Sequence, residues 1–427
     1  MKAIVDCNNF YCGCERLFMP HLDKSPVVVL SNNDGCIISR SDEAKKLGVE
    51  MAGPYFMAKP LIEKHNVSVF SSNYNLYGDL SWRVMETLRM VLGKKNVEVY
   101  SVDECFLNLD GFAGKDLQQL ALQLRHTVEQ WTGIKVSVGV APTKVLCKTA
   151  NHLAKKNKAA TQCVVVLDTP EKINAALQKT PVEEVWGVGR QYASKLKYGW
   201  NIHTAFELSK LSVEFGNRFL GGVVGVRLIK ELRGEPTIDM EDELLNKKMI
   251  ATTRMFGTPV GSISDIKEAV ATYTSRAAEK LRRQHGAAKV VSVFVVTKDQ
   301  SHQQNFKQYG TISSYTTLPN ATSFTNELIA PAVQLVDVLY EEGQLYKKAG
   351  VMLSGIVPDA SIQGNLFVPG QKNCGRKLMD MIDNINFSQR DDILKFAASG
   401  TTRDWKMRQE LRSPRYTTRW DELYRVK

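Results

Sequence analysis

The chain places two neighbouring acids in the middle of strand-forming sequence. Residues 97–109 read VEVYSVDECFLNL, with apolar residues on both sides of Asp103 and Glu104. Adjacent residues of a strand point to opposite faces, so the two carboxylates can act together only if a turn interrupts the strand between them. A hairpin with YSVDEC as its turn would supply that interruption. A buried unpaired charge is costly, and the acids must therefore face water or meet a cation.

The first 165 residues have the element order of an α+β sheet. A short apolar strand, KAIVD, ends at Asp6, a third acid beside a predicted sheet. Apolar residues at helical spacing predict helices in residues 79–92, 116–133 and 143–158. This order of strands and helices predicts a sheet covered by helices on one face.

Glycine and turn residues divide the rest of the chain. The run NNDG at 32–35, between two β-rich segments, predicts a hairpin whose turn needs a positive φ. A Gly-x-Gly turn at 187–189 separates two helical runs. A further unit begins near Asn246 and contains a helix for which Ser264 is the predicted N-cap. From Pro358 the sequence indicates a linker, followed by a helical and then arginine-rich tail.

The composition is that of a globular protein of two to four domains, with 427 residues, 43% of them hydrophobic and 24% charged. The eight cysteines are scattered and form no Cys-x-x-Cys pair, which favours reduced thiols. The opening residues MKAIVDCNNFY lack the hydrophobic region of a signal peptide, and no apolar run reaches membrane-spanning length. We therefore expect a cytoplasmic protein that does not bind membranes.

The excess of positive charge suggests a polyanionic partner, most often a nucleic acid. The formal net charge is +11 and the isoelectric point is about 9.1. Residues 244–310 carry 11 Lys and Arg against 4 Asp and Glu, which is most of that excess. The alternative is a solvated basic face that binds nothing.

Two interpretations of the acids remain open at this point. In the first, Asp103 and Glu104 are ordinary turn residues in water. In the second, they form a metal site with Asp6, because Mg²⁺ prefers carboxylate oxygens and is often completed by substrate phosphates. Two such ions can hold both the attacking and the leaving oxygen of a phosphoryl transfer.

Four motifs together resemble the Y-family, or translesion, DNA polymerases, and most closely the UmuC branch of bacterial SOS mutagenesis. They are DCNNFYCGCE, VVVLSNNDGCIISR, SSNYNLYGDLS and YSVDECFLNL, and the end SPRYTTRWDELYRVK is also similar to that branch. The resemblance covers the whole chain and implies a multidomain α+β, right-hand polymerase fold. The implied domains are the palm (1–11 and 76–165), fingers (12–75), thumb with a helix-hairpin-helix (166–240), little finger (244–357), linker (358–375) and C-terminal tail (376–427).

The resemblance implies that the three acids are catalytic. Asp6, Asp103 and Glu104 would hold two Mg²⁺ ions at a primer 3′ end, and the backbone carbonyl of Cys7 would add a ligand. Tyr11 would be the steric gate beneath the sugar of the incoming deoxynucleoside triphosphate. The alternative for Tyr11 is a place in the hydrophobic core.

The resemblance also implies contacts to the triphosphate and to primer-template DNA. Lys45 and Lys155 match positions that contact the triphosphate, and the alternative is a solvated basic face. Many relatives have Tyr and Arg where this chain has Asp42 and Lys45, and no such role is carried over to Asp42. The DNA contacts implied are those of Gly187, Gly189 and Arg254. A Gly-rich turn exposes backbone N–H groups to a phosphate, although close helix packing would explain the glycines as well.

The sequence QGNLF, residues 363–367, resembles the peptide by which bacterial polymerases bind the sliding clamp. Gln363, Leu366 and Phe367 would make that contact, unless the five-residue match is accidental. A UmuD′-like dimer and a RecA filament are the other partners implied. Two different classes of function compete with the error-prone polymerase, namely a non-catalytic scaffold on DNA and a two-metal nuclease.

Overall fold

A computed structural model describes residues 1–112, 114, 116–241, 246–298, 310–364, 374–389 and 392–423. The chain divides into two compact units. The first unit is Met1–Val29, Ile37–Glu243 and Arg412–Lys427, and the second is Leu30–Cys36 and Leu244–Leu411. Within the described ranges, every helix is too short or too polar to span a bilayer.

The described residues form twelve strands and fifteen α-helices. The strands are β1 (Lys2–Cys7), β2 (Val27–Leu30), β3 (Ile37–Arg40), β4 (Ser68–Ser71), β5 (Val97–Val99), β6 (Glu104–Asn108), β7 (Val136–Ala141), β8 (Val164–Val166), β9 (Ile250–Val260), β10 (Gly286–Thr297), β11 (Thr311–Thr322) and β12 (Tyr346–Pro358). The helices are α1 (Phe10–Phe18), α2 (Asp42–Lys46), α3 (Tyr55–Lys64), α4 (Tyr74–Leu92), α5 (Leu117–Thr132), α6 (Lys144–Lys156), α7 (Lys158–Thr161), α8 (Pro170–Lys179), α9 (Arg190–Trp200), α10 (Ala205–Ser209), α11 (Val213–Phe219), α12 (Val223–Leu232), α13 (Ile263–Arg283), α14 (Thr325–Leu339) and α15 (Cys374–Ser388).

The first unit is built on a five-stranded sheet of order β5-β6-β1-β7-β8. The central strand β1 pairs antiparallel with β6 and with β7, and β7 pairs parallel with β8. All six residues of β7 are buried, as expected of a strand covered on both faces. The predicted α+β architecture is confirmed.

Helices cover both faces of this sheet, so the prediction of one covered face is wrong. Alternate residues of β1 enter different cores: Ala3 and Val5 pack with α4 and α5, whereas Ile4 packs with α6. Gly139 on β7 explains how α6 comes so close, since a Cβ atom there would lie 2.4 Å from the backbone of α6. Periodicity identified the helices but carried no information about which face each one covers.

Strands β3, β2 and β4 form a second sheet in that order. The predicted connection between β2 and β3 is present, but Gly35 does not supply its positive φ. Asn33 and Asp34 do, with φ of 58° and 51°. Asn and Asp tolerate the left-handed region because their short side chains bond locally to the backbone.

Short helices from α8 to α12 make the rest of the first unit. The Gly-x-Gly turn joins a single 3₁₀ turn, Val182–Glu184, to α9, so only its second flank is a full helix. Gly187 has φ of 97°, a value that an L side chain rarely adopts. A Cβ atom on Gly189 would meet nothing within 4 Å, so close helix packing does not explain that glycine.

The second unit contains a four-stranded sheet of order β11-β10-β12-β9. Helices α13 and α14 pack on it around a core that includes Ile250, Val293 and Leu353. Helix α13 begins at Ile263 with Ser262 as its N-cap, so the prediction of Ser264 is wrong by two residues. Ser262 has extended backbone angles, and its side chain makes no capping hydrogen bond, so sequence preference could not separate the two serines.

The C-terminal segment contributes to the core of each unit. In the second unit, Trp405 is 5% exposed, and its carbonyl accepts a hydrogen bond from the N–H of Gly257 on the edge strand β9. In the first unit, Ser413 is 4% exposed and Tyr416 is 5% exposed. The tail is therefore an integral part of both units.

Candidate active site

The acids of the opening motif lie at one end of the central strand pair. Strands β5 and β6 form a hairpin, Asp103 is in its turn, and Glu104 is the first residue of β6. The register places Glu104 directly opposite Asp6 on β1. The carbonyl of Asp103 accepts a hydrogen bond of 2.8 Å from the N–H of Cys7, which sets the turn against the end of β1. The Asp103 carboxylate accepts a further bond of 2.7 Å from Ser101 Oγ.

Burial and mutual contact shift the pKa values of the facing acids. Burial raises the pKa of Asp6 to about 7; attraction to Lys155 opposes this rise, and a hydrogen bond to Glu104 adds to it. Burial also acts to raise the pKa of Glu104, but hydrogen bonds with Asp6 and Lys148 outweigh it and lower that pKa. Two acids in contact with each other, one of them buried, create a strong demand for positive charge.

Lysines of α6 supply positive charge beside these acids. Lys155 Nζ lies 2.5 Å from Asp6 Oδ1, and Lys148 Nζ lies 2.6 Å from Glu104 Oε2. Residues seven apart share one face of a helix, so both ammonium groups project from α6 toward the sheet. The predicted triphosphate residue Lys155 is thus next to the acids, whereas Lys148 was missed by the sequence analysis.

A third pair extends this row and is almost completely buried. Lys144 Nζ lies 2.6 Å from Glu98 Oε2, and the two side chains are 3% and 9% exposed. The signal in the sequence was the spacing of Lys144, Lys148 and Lys155 by four and seven residues. It was not recognised because a basic helix face is usually solvated.

The carboxylates suit a divalent cation, although no complete site is assembled. Within the described part of the chain, no three His, Cys, Asp or Glu side chains converge as a metal-binding group. Asp6 and Glu104 are in contact, but each is paired with a lysine, and Asp103 is bonded to Ser101. The predicted donor set, three carboxylates and the backbone carbonyl of Cys7, has the chemistry that Mg²⁺ prefers.

Tyr11 lies on α1, immediately after the acidic strand β1. Its ring stacks on Tyr77, with centroids 4.5 Å apart and planes at 19°, and meets the edge of Tyr74 at 6.0 Å. The side chain is half-buried, and burial raises the pKa of Tyr11 to about 12. Tyr11 is therefore attached to the core by one face without being enclosed by it.

The second lysine predicted to contact the triphosphate is not next to the acids. Lys45 is exposed in the last turn of α2. Asp42, in the first turn of the same helix, forms an ion pair of 2.5 Å with Lys158. Burial acts to raise the pKa of Asp42, but hydrogen bonds from Lys158 and Asn9 dominate and lower it.

A basic cavity of about 330 Å³ lies in the second unit. Its lining includes Arg254 of β9, Arg276 and Lys280 of α13, and Arg403 of the tail. Arg254, which the resemblance assigns to DNA, is exposed. Gly187 and Gly189, also assigned to DNA, are exposed at the start of α9 in the first unit.

Not every basic side chain of residues 244–310 is exposed for contact with a polyanion. Arg282 is 4% exposed and bonds both oxygens of Asp383 at 2.7 Å. It also donates to the carbonyl of Ser323 and the hydroxyl of Thr325. A side chain held in this way is structural, which the local charge count could not show.

Only part of the predicted clamp motif is described. Gln363 is exposed after β12, whereas Leu366 and Phe367 lie outside the described residues. Seven of the eight cysteines have described side chains, and these seven are free thiols, in agreement with the prediction.

Comparisons with known proteins now add to this geometry. The model of the impB/mucB/samB family matches residues 5–152, and that of its C-terminal domain matches 247–366. A domain of unknown function, DUF4113, matches 376–426. The protein UmuC of Salmonella typhimurium is 41% identical over 100% of both chains, and SamB of the same organism is 38% identical over 99% of both.

A solved Y-family DNA polymerase chimera of Dbh and Dpo4 superposes with a TM-score of 0.68 at 20% identity. The match covers 84% of this chain and 99% of the chimera. The fold is therefore that of the Y-family DNA polymerases. At the level of sequence, the chain belongs to the impB/mucB/samB family.

Proposed function

We propose that this chain is a translesion DNA polymerase that adds deoxynucleotides to a primer 3′ end. The observation that carries the proposal is the facing pair of Asp6 and Glu104, beside the hairpin turn of Asp103, in a Y-family fold. A buried acid with a raised pKa that faces a second acid has no evident structural purpose in a hydrophobic sheet.

The proposed reaction uses two Mg²⁺ ions held by Asp6, Asp103, Glu104 and the carbonyl of Cys7. When bound, such ions activate the 3′-hydroxyl and neutralise the triphosphate. Lys155, which pairs with Asp6, would contact triphosphate oxygens in this proposal, and Lys45 is the second candidate. Lys148 holds Glu104 in the orientation that faces Asp6.

Tyr11 selects the sugar in this proposal. Its ring is backed by Tyr77 and follows directly after the acidic strand, so it can lie beneath the sugar of the incoming nucleotide. A rigid ring at that position collides with a 2′-hydroxyl, which excludes ribonucleotides.

The domains and partners are assigned by the same reasoning. The five-stranded sheet is the palm, residues 12–75 the fingers, 166–240 the thumb, 244–357 the little finger and 358–375 the linker to the tail. We propose that Gly187, Gly189 and Arg254 contact DNA phosphates, and that the protein acts in the cytoplasm, at the nucleoid, during the SOS response. The proposed partners are a UmuD′-like dimer, a RecA filament and the sliding clamp.

Replacing Leu366 and Phe367 by Ala should remove stimulation by the clamp while basal extension continues. An unchanged response to the clamp would reject that contact.

Primer extension tests the function directly. With a labelled primer, the proposed partners and Mg²⁺, the chain should lengthen the primer, and Asp103→Ala or Glu104→Ala should abolish extension while DNA binding persists. Loss of a metal ligand removes several kcal/mol of transition-state stabilisation, on the order of a thousandfold in rate or more. Shortening of the primer would identify a nuclease instead, and an unchanged primer would identify a scaffold. Near wild-type extension by both variants would reject the acids as catalytic.

A further inference from the structure

The last part of the C-terminal segment packs inside the first unit close to the aromatic cluster of Tyr11. Asn73, the N-cap of α4, donates to the carbonyl and to the hydroxyl of Ser413, both at 3.0 Å, and to the carbonyl of Pro414 at 3.2 Å. The ring of Tyr416 stacks on Phe18 of α1 with centroids 4.6 Å apart. The segment is therefore fixed to the first turn of α4 and to the end of α1.

Ser413 bonds a buried carboxylate of α1. Glu15 is 0% exposed, and its Oε1 accepts hydrogen bonds from Ser413 Oγ at 3.0 Å and from Tyr77 at 2.6 Å. Among the residues that the structure describes, the other oxygen, Oε2, has no hydrogen-bond partner. Two hydroxyl groups from distant parts of the chain thus share one carboxylate oxygen. Burying a carboxylate is costly, so its retention here needs a reason beyond filling space.

The carboxylate fixes the aromatic ring that supports Tyr11. Tyr77 is completely buried, and its hydroxyl donates to Glu15 Oε1. Its ring stacks on Tyr11 at 4.5 Å. A hydrogen-bonded network in a buried place restricts its members more strongly than apolar packing alone, because any displacement leaves a polar group unsatisfied.

We propose that Ser413, through Glu15 and Tyr77, positions Tyr11 and so contributes to the exclusion of ribonucleotides. The inference rests on the proposed function, because it assumes that Tyr11 is the steric gate. It assigns the end of the tail a part in sugar selection at the palm. Ser413 is a positioning residue here and touches no substrate.

The test compares ribonucleotide and deoxynucleotide insertion by the full chain with its partners. Ser413→Ala and Tyr77→Phe each remove one hydroxyl from the network while leaving the surrounding packing nearly unchanged. The ratio of ribonucleotide to deoxynucleotide insertion should rise about three- to tenfold in each, which is typical of a side chain acting through a packed network. Ser413→Thr, which keeps a hydroxyl, should restore most of the selectivity.

Two controls separate positioning from general destabilisation. Ser399→Ala removes a serine that is 2% exposed from the part of the tail in the second unit, and the ratio should not change. In a Tyr11→Ala background, adding Ser413→Ala should leave the ratio unchanged, because the ring to be positioned is already gone. The melting temperature of each variant reports any loss of folding.

The outcomes distinguish the inference from the function on which it rests. If Tyr11→Ala raises the ratio but Ser413→Ala and Tyr77→Phe do not, the tail has no part in selection and the proposal is wrong. A parallel fall of both insertion rates at constant ratio would assign Ser413 a structural role only. If Tyr11→Ala leaves the ratio unchanged, the steric gate itself is wrong. Should Ser413→Ala fail to fold, Tyr77→Phe, which removes the other hydroxyl from the same carboxylate oxygen, tests the same prediction.

Discussion

At two single side chains of this protein, the arrangement that would be most stable differs from the arrangement that is present. Asp6 lies near the end of the buried strand β1, opposite a second acid, where a neutral residue would be more stable. Tyr11 presents one face to the core and leaves the other uncovered, where full burial would be more stable. Both departures from good packing occur within six residues, and such departures concentrate at functional sites.

The first prediction concerns Asp6 and pH. Its pKa in the folded protein is raised to about 7 from 3.8, so between these values the unfolded chain is ionised while the folded chain retains the proton. Stability from this group is present below pH 4 and is lost as the pH rises toward 7. Asp6→Asn cannot ionise, so in EDTA it should be more stable than the wild type at pH 8, on the order of a few kcal/mol, with no advantage at pH 4.

Thermal melts of both proteins from pH 4 to pH 8 measure that difference. Asp23→Asn, an exposed substitution of the same type, should give a pH-independent offset. Asp6→Asn should at the same time lose primer extension. An equal offset at every pH would show that Asp6 ionises normally in the folded protein.

The second prediction separates two roles for Tyr11. If it is the steric gate, Tyr11→Ala should admit ribonucleotides with little change in melting temperature, because its side chain is only partly buried. If it is a core residue, the same change should cost roughly 3–5 kcal/mol and reduce all insertion alike. Tyr11→Phe, which keeps the stacked ring, should remain selective in either case. The insertion ratio and the melting temperature, measured on the same samples, decide between them.

Helices and strands were predicted with more success than their contacts. Apolar periodicity and glycine located α5, α6 and the acidic hairpin, because these signals are local. The side of the sheet that α6 covers, and the pairing of its lysines with acids, depend on residues far apart in the sequence. The three proposed catalytic acids were found by motif. The spacing of Lys148 from the other lysines of α6 was a signal that was not recognised, and Glu15 and Ser413 had no local signal at all.

The third prediction concerns the lysine row of α6. The pair of Lys144 and Glu98 is buried, and removing one partner leaves the other charge uncompensated. Lys144→Met should therefore cost about 3–5 kcal/mol, whereas adding Glu98→Gln should recover much of that loss. Denaturant melts of the two single variants and the double variant give the coupling energy.

If the losses of unfolding free energy in the two single variants add up in the double variant, the pair contributes little to the stability of this sheet. Lys172→Met, at an exposed ion pair, is the matched control and should cost less than 1 kcal/mol.

Across the whole molecule, some of the basic side chains behind the net charge of +11 form internal ion pairs, and others are exposed and could bind a ligand. In the second unit, Arg282 is committed to Asp383, and Lys267 to Asp337. Lys247, Lys248 and Lys289 are exposed on the same unit. The distribution predicts that a few surface lysines, and not the total charge of residues 244–310, determine the electrostatic part of DNA binding.

The fourth prediction follows from that division. Changing Lys247, Lys248 and Lys289 together to Gln should weaken binding to primer-template DNA and reduce the slope of log K against log salt by about 2–3, since each phosphate contact contributes roughly 0.9. A second triple variant, with Lys24, Lys64 and Lys94 changed to Gln, removes the same charge from exposed positions of the first unit. If the two variants lower the slope equally, DNA responds to the net charge alone. If only the first variant reduces the slope, the phosphate contacts lie on the second unit. Extension of a primer saturated with protein should then be unchanged, because a contact that only holds DNA in place affects binding and leaves the chemical step intact.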